Sequence, residues 1–375
     1  MNRSGIEWCD HTFNPITGCL TGCPYCYARS MVRRFSGDPR TNKQHKDKYT
    51  KKINRYDTAS GTKKATLYLL DEPFMGEDGN KIIYPFGFDI TLHKYRENEL
   101  DGLKSGCKVF VGAMTDIFGP WIPDEWIVKI FEICEDHPNN QYIFLTKWPT
   151  RYVELKVMGL LPNHPNFWYG TSITKPEDQF FSTDEFNCWV SMEPLEEEFF
   201  FDQDEKETEE GFKYIKWIVT GAETGNRRGK VKPDLLWIEE IRDMADRQGI
   251  PLFMKDSLLT IVKESDMRRE WPDAMLESKP GPGWKRTRYS TCAVCGMEYK
   301  KGEMATIEAR GARGTSSQPL EEMEETKPVR EIIEEVQTEI CDHYCKYTDG
   351  YKDADDEKYS DLVNRYCVSC PLNRL

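Results

Sequence analysis

Six short apolar runs, each closing on polar residues, limit this chain's fold more than any other feature. They read KVFVGAMTD (108–116), QYIFLTK (141–147), FWYGTSI (167–173), CWVSMEP (188–194), KWIVTGAE (216–223) and PLFMKD (251–256). Near-continuous rather than alternating apolar runs are the pattern of strands buried on both faces, as in a parallel sheet. Helical segments separate several of them. In IPDEWIVKIFEICEDHP (122–138), Trp126, Ile127, Ile130, Phe131 and Cys134 share one face, with Pro123 near the start and Pro138 past the end. In KPDLLWIEEIRDMADRQGIP (232–251), Leu235, Ile238, Ile241 and Ala245 share a face, and Gly249 is a natural stop. The interval from 173 to 188 is tight for a full crossover helix, so a short or irregular connection is expected there.

Alternating strands and helices predict an α/β chain of βα repeats, either an open sheet or a partial barrel. Ligands in such folds gather at the C-terminal strand ends. The polar residues at those ends are Thr115 and Asp116, Thr146 and Lys147, Ser172, Glu193, Glu223, and Lys255. Any single one of them also fits an ordinary cap or loop residue.

Two insertions interrupt the repeats: residues 36–85 and the acidic loop LEEEFFFDQDEKETEEG (195–211). The expected organisation is a barrel unit over residues 1–270 and a cysteine-rich region over 271–375, joined near SKPGPGWKR. The net charge of −13 argues against a generic polyanion binder. One stretch runs the other way: TNKQHKDKYTKKINR (41–55) is strongly basic and can touch phosphate, although a solvated surface insertion is the plainer reading. No apolar run approaches a membrane span, and the first residues hold no apolar signal core. The expectation is a cytoplasmic protein without a membrane partner. In a reducing compartment, thirteen cysteines point to metal ligation rather than disulfides.

Three of those cysteines, Cys19, Cys23 and Cys26, fall within eight residues, in GCLTGCPYCYAR (18–29). A 4Fe–4S cluster has four irons, each needing an outer ligand. Three thiolates leave one iron open to chelate a small molecule through an amino and a carboxylate group, and S-adenosylmethionine offers both. A zinc knuckle with its fourth ligand elsewhere, or with His11 in that place, is the competing reading of the bare triplet.

CLTGCPYC matches the radical SAM motif, including its aromatic residue before the third cysteine. IEWCDHTFNPITGC, FVGAMTDIFGPWIPDEW, FLTKWPTRY, YGTSIT, VSMEPL and WIVTGAETG resemble a radical-SAM-like family of phages and prophages whose function is unassigned. MTDIFGP and LTK are also distantly similar to spore photoproduct lyase. The resemblance spans about residues 5–260. It implies a partial (β/α) barrel of radical SAM type with a 4Fe–4S cluster on Cys19, Cys23 and Cys26. It also implies S-adenosylmethionine and an external electron donor as partners, and a 5′-deoxyadenosyl radical as the reactive product. By the same analogy Met114, Thr115 and Asp116 meet the amino group of S-adenosylmethionine, Lys147 its carboxylate, and Ser172 its ribose or carboxylate. Gly221 brings backbone close to adenine, with Glu223 as a hydrogen-bond partner. Glu193 and Lys255 are expected at the substrate as the catalytic pair, or else as a structural ion pair. The substrate class suggested by the lyase-like branch is a nucleic acid or nucleotide. A non-catalytic metal-stabilised binding module, and radical modification of a peptide or protein, are the alternatives. Cys107 and Cys188, beside strands, read as small buried hydrophobes rather than hydrogen-atom donors.

The C-terminal region carries three further pairs: Cys292 and Cys295, Cys341 and Cys345, Cys367 and Cys370. Pairs at this spacing are metal half-sites. A second metal is expected here, either zinc or an auxiliary iron–sulfur cluster.

Overall fold

A computed structural model of the chain describes residues 3–36, 49–58, 61–76, 78–199, 201, 211–224, 230–276, 289–291 and 298–300. The six C-terminal cysteines, and with them the expected second metal site, lie outside the described residues.

Seven strands form one sheet: β1 (His11–Phe13), β6 (Lys108–Val111), β7 (Gln141–Thr146), β8 (Phe167–Ile173), β9 (Asn187–Met192), β10 (Ile215–Thr220) and β11 (Leu252–Met254). They are neighbours in that order, and every pair is parallel. The six anticipated runs are six of these strands. The seventh, β1, went unread because three residues are too few to show a period. Helix α2 (Asp124–Glu135) links β6 to β7, α3 (Thr150–Val157) links β7 to β8, and α4 (Leu235–Gln248) links β10 to β11. The side chain of Asp234 caps α4, accepting from the Leu236 N–H, and Gly249 ends it at φ +66°. Between β8 and β9 no helix forms, in keeping with the short interval.

The sheet has two unlike faces. One packs under the helices in the main core. The other curls around a cluster containing Trp8, Phe110, Trp168, Trp189, Trp217 and Phe253. Trp8, which precedes β1, reaches Phe110 of β6 at 4.8 Å between ring centroids, Trp189 of β9 at 5.5 Å and Trp217 of β10 at 6.0 Å. One indole touching β6 and also β9 and β10, with β7 and β8 in between, means that the sheet is bent into a half-barrel around it. The strand-borne indoles are also satisfied: Trp168 Nε1 donates to Gln141, Trp189 Nε1 to the Phe144 carbonyl and Trp217 Nε1 to the Glu270 carbonyl.

A smaller sheet has the order β2 (Ile16–Thr17), β5 (Thr91–His93), β4 (Gly61–Leu70), β3 (Thr50–Thr58). The insertion therefore carries an antiparallel ribbon, β3–β4, that runs in register from Thr50 opposite Leu69 to Thr58 opposite Gly61. Helix α1 (Tyr27–Phe35) follows the three cysteines. A separate short pair, β12 (Tyr289–Thr291) with β13 (Glu298–Lys300), is antiparallel. Among the described residues, no helix is long and apolar enough to cross a membrane.

Gly170 is required where β8 passes under Trp189. A Cβ there would lie 2.2 Å from Trp189 Cε2, closer than real contacts allow. Gly170→Ala is expected to destabilise the protein by about 1–3 kcal/mol through overpacking. Urea unfolding should show a lower midpoint at unchanged slope, with partial recovery in Gly170→Ala/Trp189→Phe. A midpoint equal to wild type would mean that the indole shifts freely.

Cys188 is fully buried, its thiol 3.6 Å from the Thr183 carbonyl, and burial pushes that thiol up from 9.0 to about 11. The folded state thus holds the proton more tightly than the unfolded chain. Its contribution to stability is complete below about pH 9 and is lost as pH rises through about 11. Unfolding free energies measured across that window should fall less steeply for Cys188→Ala than for wild type; parallel curves would contradict the assignment.

Candidate functional site

A cavity of about 400 Å³ opens at the C-terminal ends of the half-barrel strands, directly above the indole cluster. The alternation of strand side chains explains its lining. On β8, Trp168 fills the floor, Gly170 gives way to the Trp189 indole, and Ser172 reaches the cavity; Trp189 and Ser191 of β9, and Glu193 just past its end, face the same side. Lys147, two residues above Leu145, and Lys255, two above Phe253, complete the polar layer.

Cys19, Cys23 and Cys26 all line this cavity, and all three thiols are free. Their loop is pinned from both sides. Gly18, at φ +89°, donates its N–H to the Met114 carbonyl at 3.1 Å and accepts from Thr115 Oγ1 at 2.5 Å. A Cβ on Gly18 would stand 2.4 Å from the Asp89 carbonyl oxygen, so only glycine fits this approach. Cys19 Sγ accepts from the Thr21 N–H at 3.4 Å. Cys26 is the N-cap of α1 and its Sγ accepts from the Arg29 N–H at 3.5 Å, where the helix end favours a negative side chain. Burial pushes the metal-free Cys19 thiol up to about 11 and raises that of Cys23. Binding a metal there must therefore displace protons.

Among the described residues, no group of three or more His, Cys, Asp or Glu side chains is drawn together around one point as a single metal ion requires. His11 stands at the start of β1 and does not line the cavity. A cubane asks for a different arrangement, because each thiolate binds a different iron and the sulfurs stand apart. Three free thiols around one cavity, two of them receiving backbone N–H groups as cluster thiolates do, fit that group better than a single ion.

The other anticipated residues divide into two sets. Asp116 is buried, and its carboxylate already serves the scaffold: Oδ1 accepts from the Phe118 N–H at 3.2 Å and Thr146 Oγ1 at 2.7 Å, and Oδ2 from the Lys147 N–H at 2.9 Å. Burial raises its carboxyl above the usual range. The Thr115 hydroxyl likewise holds the cysteine loop, and Met114 packs with Ala28, Val32 and Tyr84. Gly221 does not line the cavity; its N–H and carbonyl bond to Met192 and Leu195. Its role is steric, since a Cβ would lie 3.1 Å from Ser257 Oγ and 3.3 Å from the Glu193 carboxyl.

The second set lies along the cavity wall. Lys147 Nζ donates to Ser172 Oγ at 2.7 Å and sits 5.3 Å from the centre of the Tyr25 ring. Ser172 Oγ lies 3.4 Å from the Glu193 carbonyl, and Lys255 Nζ pairs with Glu193 Oε1 at 2.5 Å. Glu223 is buried at the same wall. Glu7, Trp8, Tyr25 and Tyr27 also line the cavity and were given no role from sequence. Glu7 accepts from the Asp256 N–H at 2.8 Å, and the Tyr27 hydroxyl donates to the Ala113 carbonyl at 2.6 Å. Only the nearness of both tyrosines to Cys26 marked them in the sequence.

Fold and site together define a parallel α/β half-barrel with a three-cysteine loop facing a polar cavity at its mouth. The chain belongs to the family described as "Protein of unknown function (DUF5131)", whose model matches residues 3–270. No curated protein matches it, and no solved structure does.

Asp116→Asn tests the scaffold role. The amide turns a donor toward an N–H or a hydroxyl that Asp116 now accepts from, leaving a buried donor unsatisfied. It is expected to cost about 1–3 kcal/mol of stability. Equal unfolding midpoints for the variant and wild type would show that the carboxylate is not the clamp.

Proposed function

We propose that this chain is a radical SAM enzyme. The observation carrying the proposal is that all three closely spaced cysteines line one cavity at the strand ends, beside a wall of paired polar side chains. A 4Fe–4S cluster bound there with one iron open, once reduced by an external electron donor, would supply the one-electron reductive cleavage of S-adenosylmethionine to methionine and a 5′-deoxyadenosyl radical.

Cys19, Cys23 and Cys26 would hold the cluster, with the Thr21 and Arg29 N–H groups donating to two of the sulfurs. Lys147 and Ser172 present a cation and a hydroxyl to a ligand's carboxylate. Glu223 presents a carboxylate to its ammonium or hydroxyl groups. The volume of about 400 Å³ lies within the usual range for small-molecule sites. The Glu193–Lys255 pair stands just past the ends of β9 and β11, on the side of the cavity away from β6. That placement suits contact with a second substrate. Asp116 and Thr115 act indirectly, by positioning Lys147 and the cysteine loop.

Anaerobically reconstituted wild type should bind about four irons per chain at this site. With dithionite and S-adenosylmethionine it should release 5′-deoxyadenosine. Cys19→Ala/Cys23→Ala/Cys26→Ala should lose both. Undiminished iron in the triple variant would overturn the ligand assignment. A loaded cluster that neither binds nor cleaves S-adenosylmethionine would favour the binding-module alternative. Lys147→Met should weaken S-adenosylmethionine binding without lowering iron content.

A further inference from the structure

Helix α1 carries three arginines, and the helix itself accounts for only two of them. Arg33 and Arg34 stand in its last turn, where the negative end of a helix favours cations. Arg29 stands in the first turn, near the positive end, where a cation is disfavoured. That turn holds no acidic residue, and Arg33, four residues on, is a like charge on the same face. Among the described residues the Arg29 side chain has two partners and no carboxylate. Its Nη2 donates to the Cys19 carbonyl at 3.4 Å, and its guanidinium carbon lies 4.5 Å from the centre of the Phe88 ring.

The backbone N–H of the same residue donates to Cys26 Sγ at 3.5 Å. Arg29 thus touches the first and the third cysteine of the loop at once. It does not line the cavity, whereas Phe88 beside it does. Its charge is therefore offered to the loop rather than to a ligand in the cavity. A cation held against three thiols, at a cost to its own helix and without an ion pair, calls for an anion at the loop itself.

We propose that Arg29 sets the reduction potential of the cluster held by Cys19, Cys23 and Cys26, raising it toward the reach of an external donor. Three thiolates outweigh the charge of an oxidised cubane core, so the bound cluster is already an anion, and the arriving electron adds to that charge. A fixed cation beside the ligands favours the reduced form over the oxidised one, and cluster potentials respond to net charge nearby. The inference rests on the proposed function, because it presumes the cluster. It goes beyond that reading by naming a residue outside the cavity on which reduction depends.

The test is a redox titration of the anaerobically reconstituted full chain, without S-adenosylmethionine, followed by the electron paramagnetic resonance signal of the reduced cluster. Iron per chain is measured on the same samples. Arg29→Gln should keep wild-type iron and shift the reduction equilibrium about three- to fivefold toward the oxidised form, as suits an exposed charge; at about 59 mV per tenfold for one electron, that is roughly 30–40 mV. Arg29→Met keeps an apolar stem against Phe88 and should shift as far, and it stands in if the Gln variant takes up less iron. Arg29→Lys keeps the charge and should stay close to wild type. Arg34→Gln, ~7.5 Å farther along the helix, should do the same. Equal potentials in wild type and the neutral variants at position 29 would overturn the proposal, as would an Arg34→Gln shift as large as theirs. A Lys variant that falls with the neutral ones would overturn it too, since shape rather than charge would then set the potential. A wild type that takes up no cluster overturns the proposed function itself, and its iron content tells that outcome apart.

Discussion

The indole floor of the half-barrel is the constraint on which the site depends. Trp8, Trp168, Trp189 and Trp217 fill the lower part of the curl, each almost wholly buried. Removing one such side chain from a core typically costs roughly 3–5 kcal/mol, a large share of the ~5–15 kcal/mol by which a domain is stable. The floor also determines where space remains. Gly170 stands opposite Trp189 and leaves its indole room, while Ser172 and Ser191, opposite each other, begin the polar wall. A cavity can therefore exist only at the C-terminal ends of the strands, where the cysteine loop arrives.

Above the floor, buried polar groups do the positioning. Asp116 ties the end of β7 to the loop after β6 through two hydrogen bonds, from Thr146 and Lys147, and takes a third from Phe118 within its own loop. Thr115 and the Met114 carbonyl hold Gly18, and through it the first cysteine. The groups nearest the thiols are thus largely committed to backbone. This division suits a reactive site, because a ligating loop left without such fastening would not hold three sulfurs at fixed separations.

Much of this was legible in the sequence. Continuous apolar runs marked six of the seven parallel strands, and the polar residues closing them marked the end at which the cavity opens. Partners were not legible. Asp116 and Lys147 both sit at strand ends, and nothing in their spacing shows that one is turned to backbone N–H groups while the other faces open space. Gly221 read as a close approach to a ligand, whereas its close approach is to Ser257 and Glu193. The basic insertion read as solvated surface, and Lys52, Ile53 and Arg55 are exposed; what no local pattern showed is that Asn54 and Tyr56 of the same strand root it against Trp121.

Charge also shapes what the cavity can receive. Inside the cavity the cations are offset locally: Lys255 by Glu193, and Lys147 by its Ser172 hydrogen bond and the Tyr25 ring. A wall that alternates sign over such short distances suits a ligand carrying both signs, which is what the proposed cofactor offers through its amino-acid end. Local neutrality recognises a small zwitterion by where its charges lie.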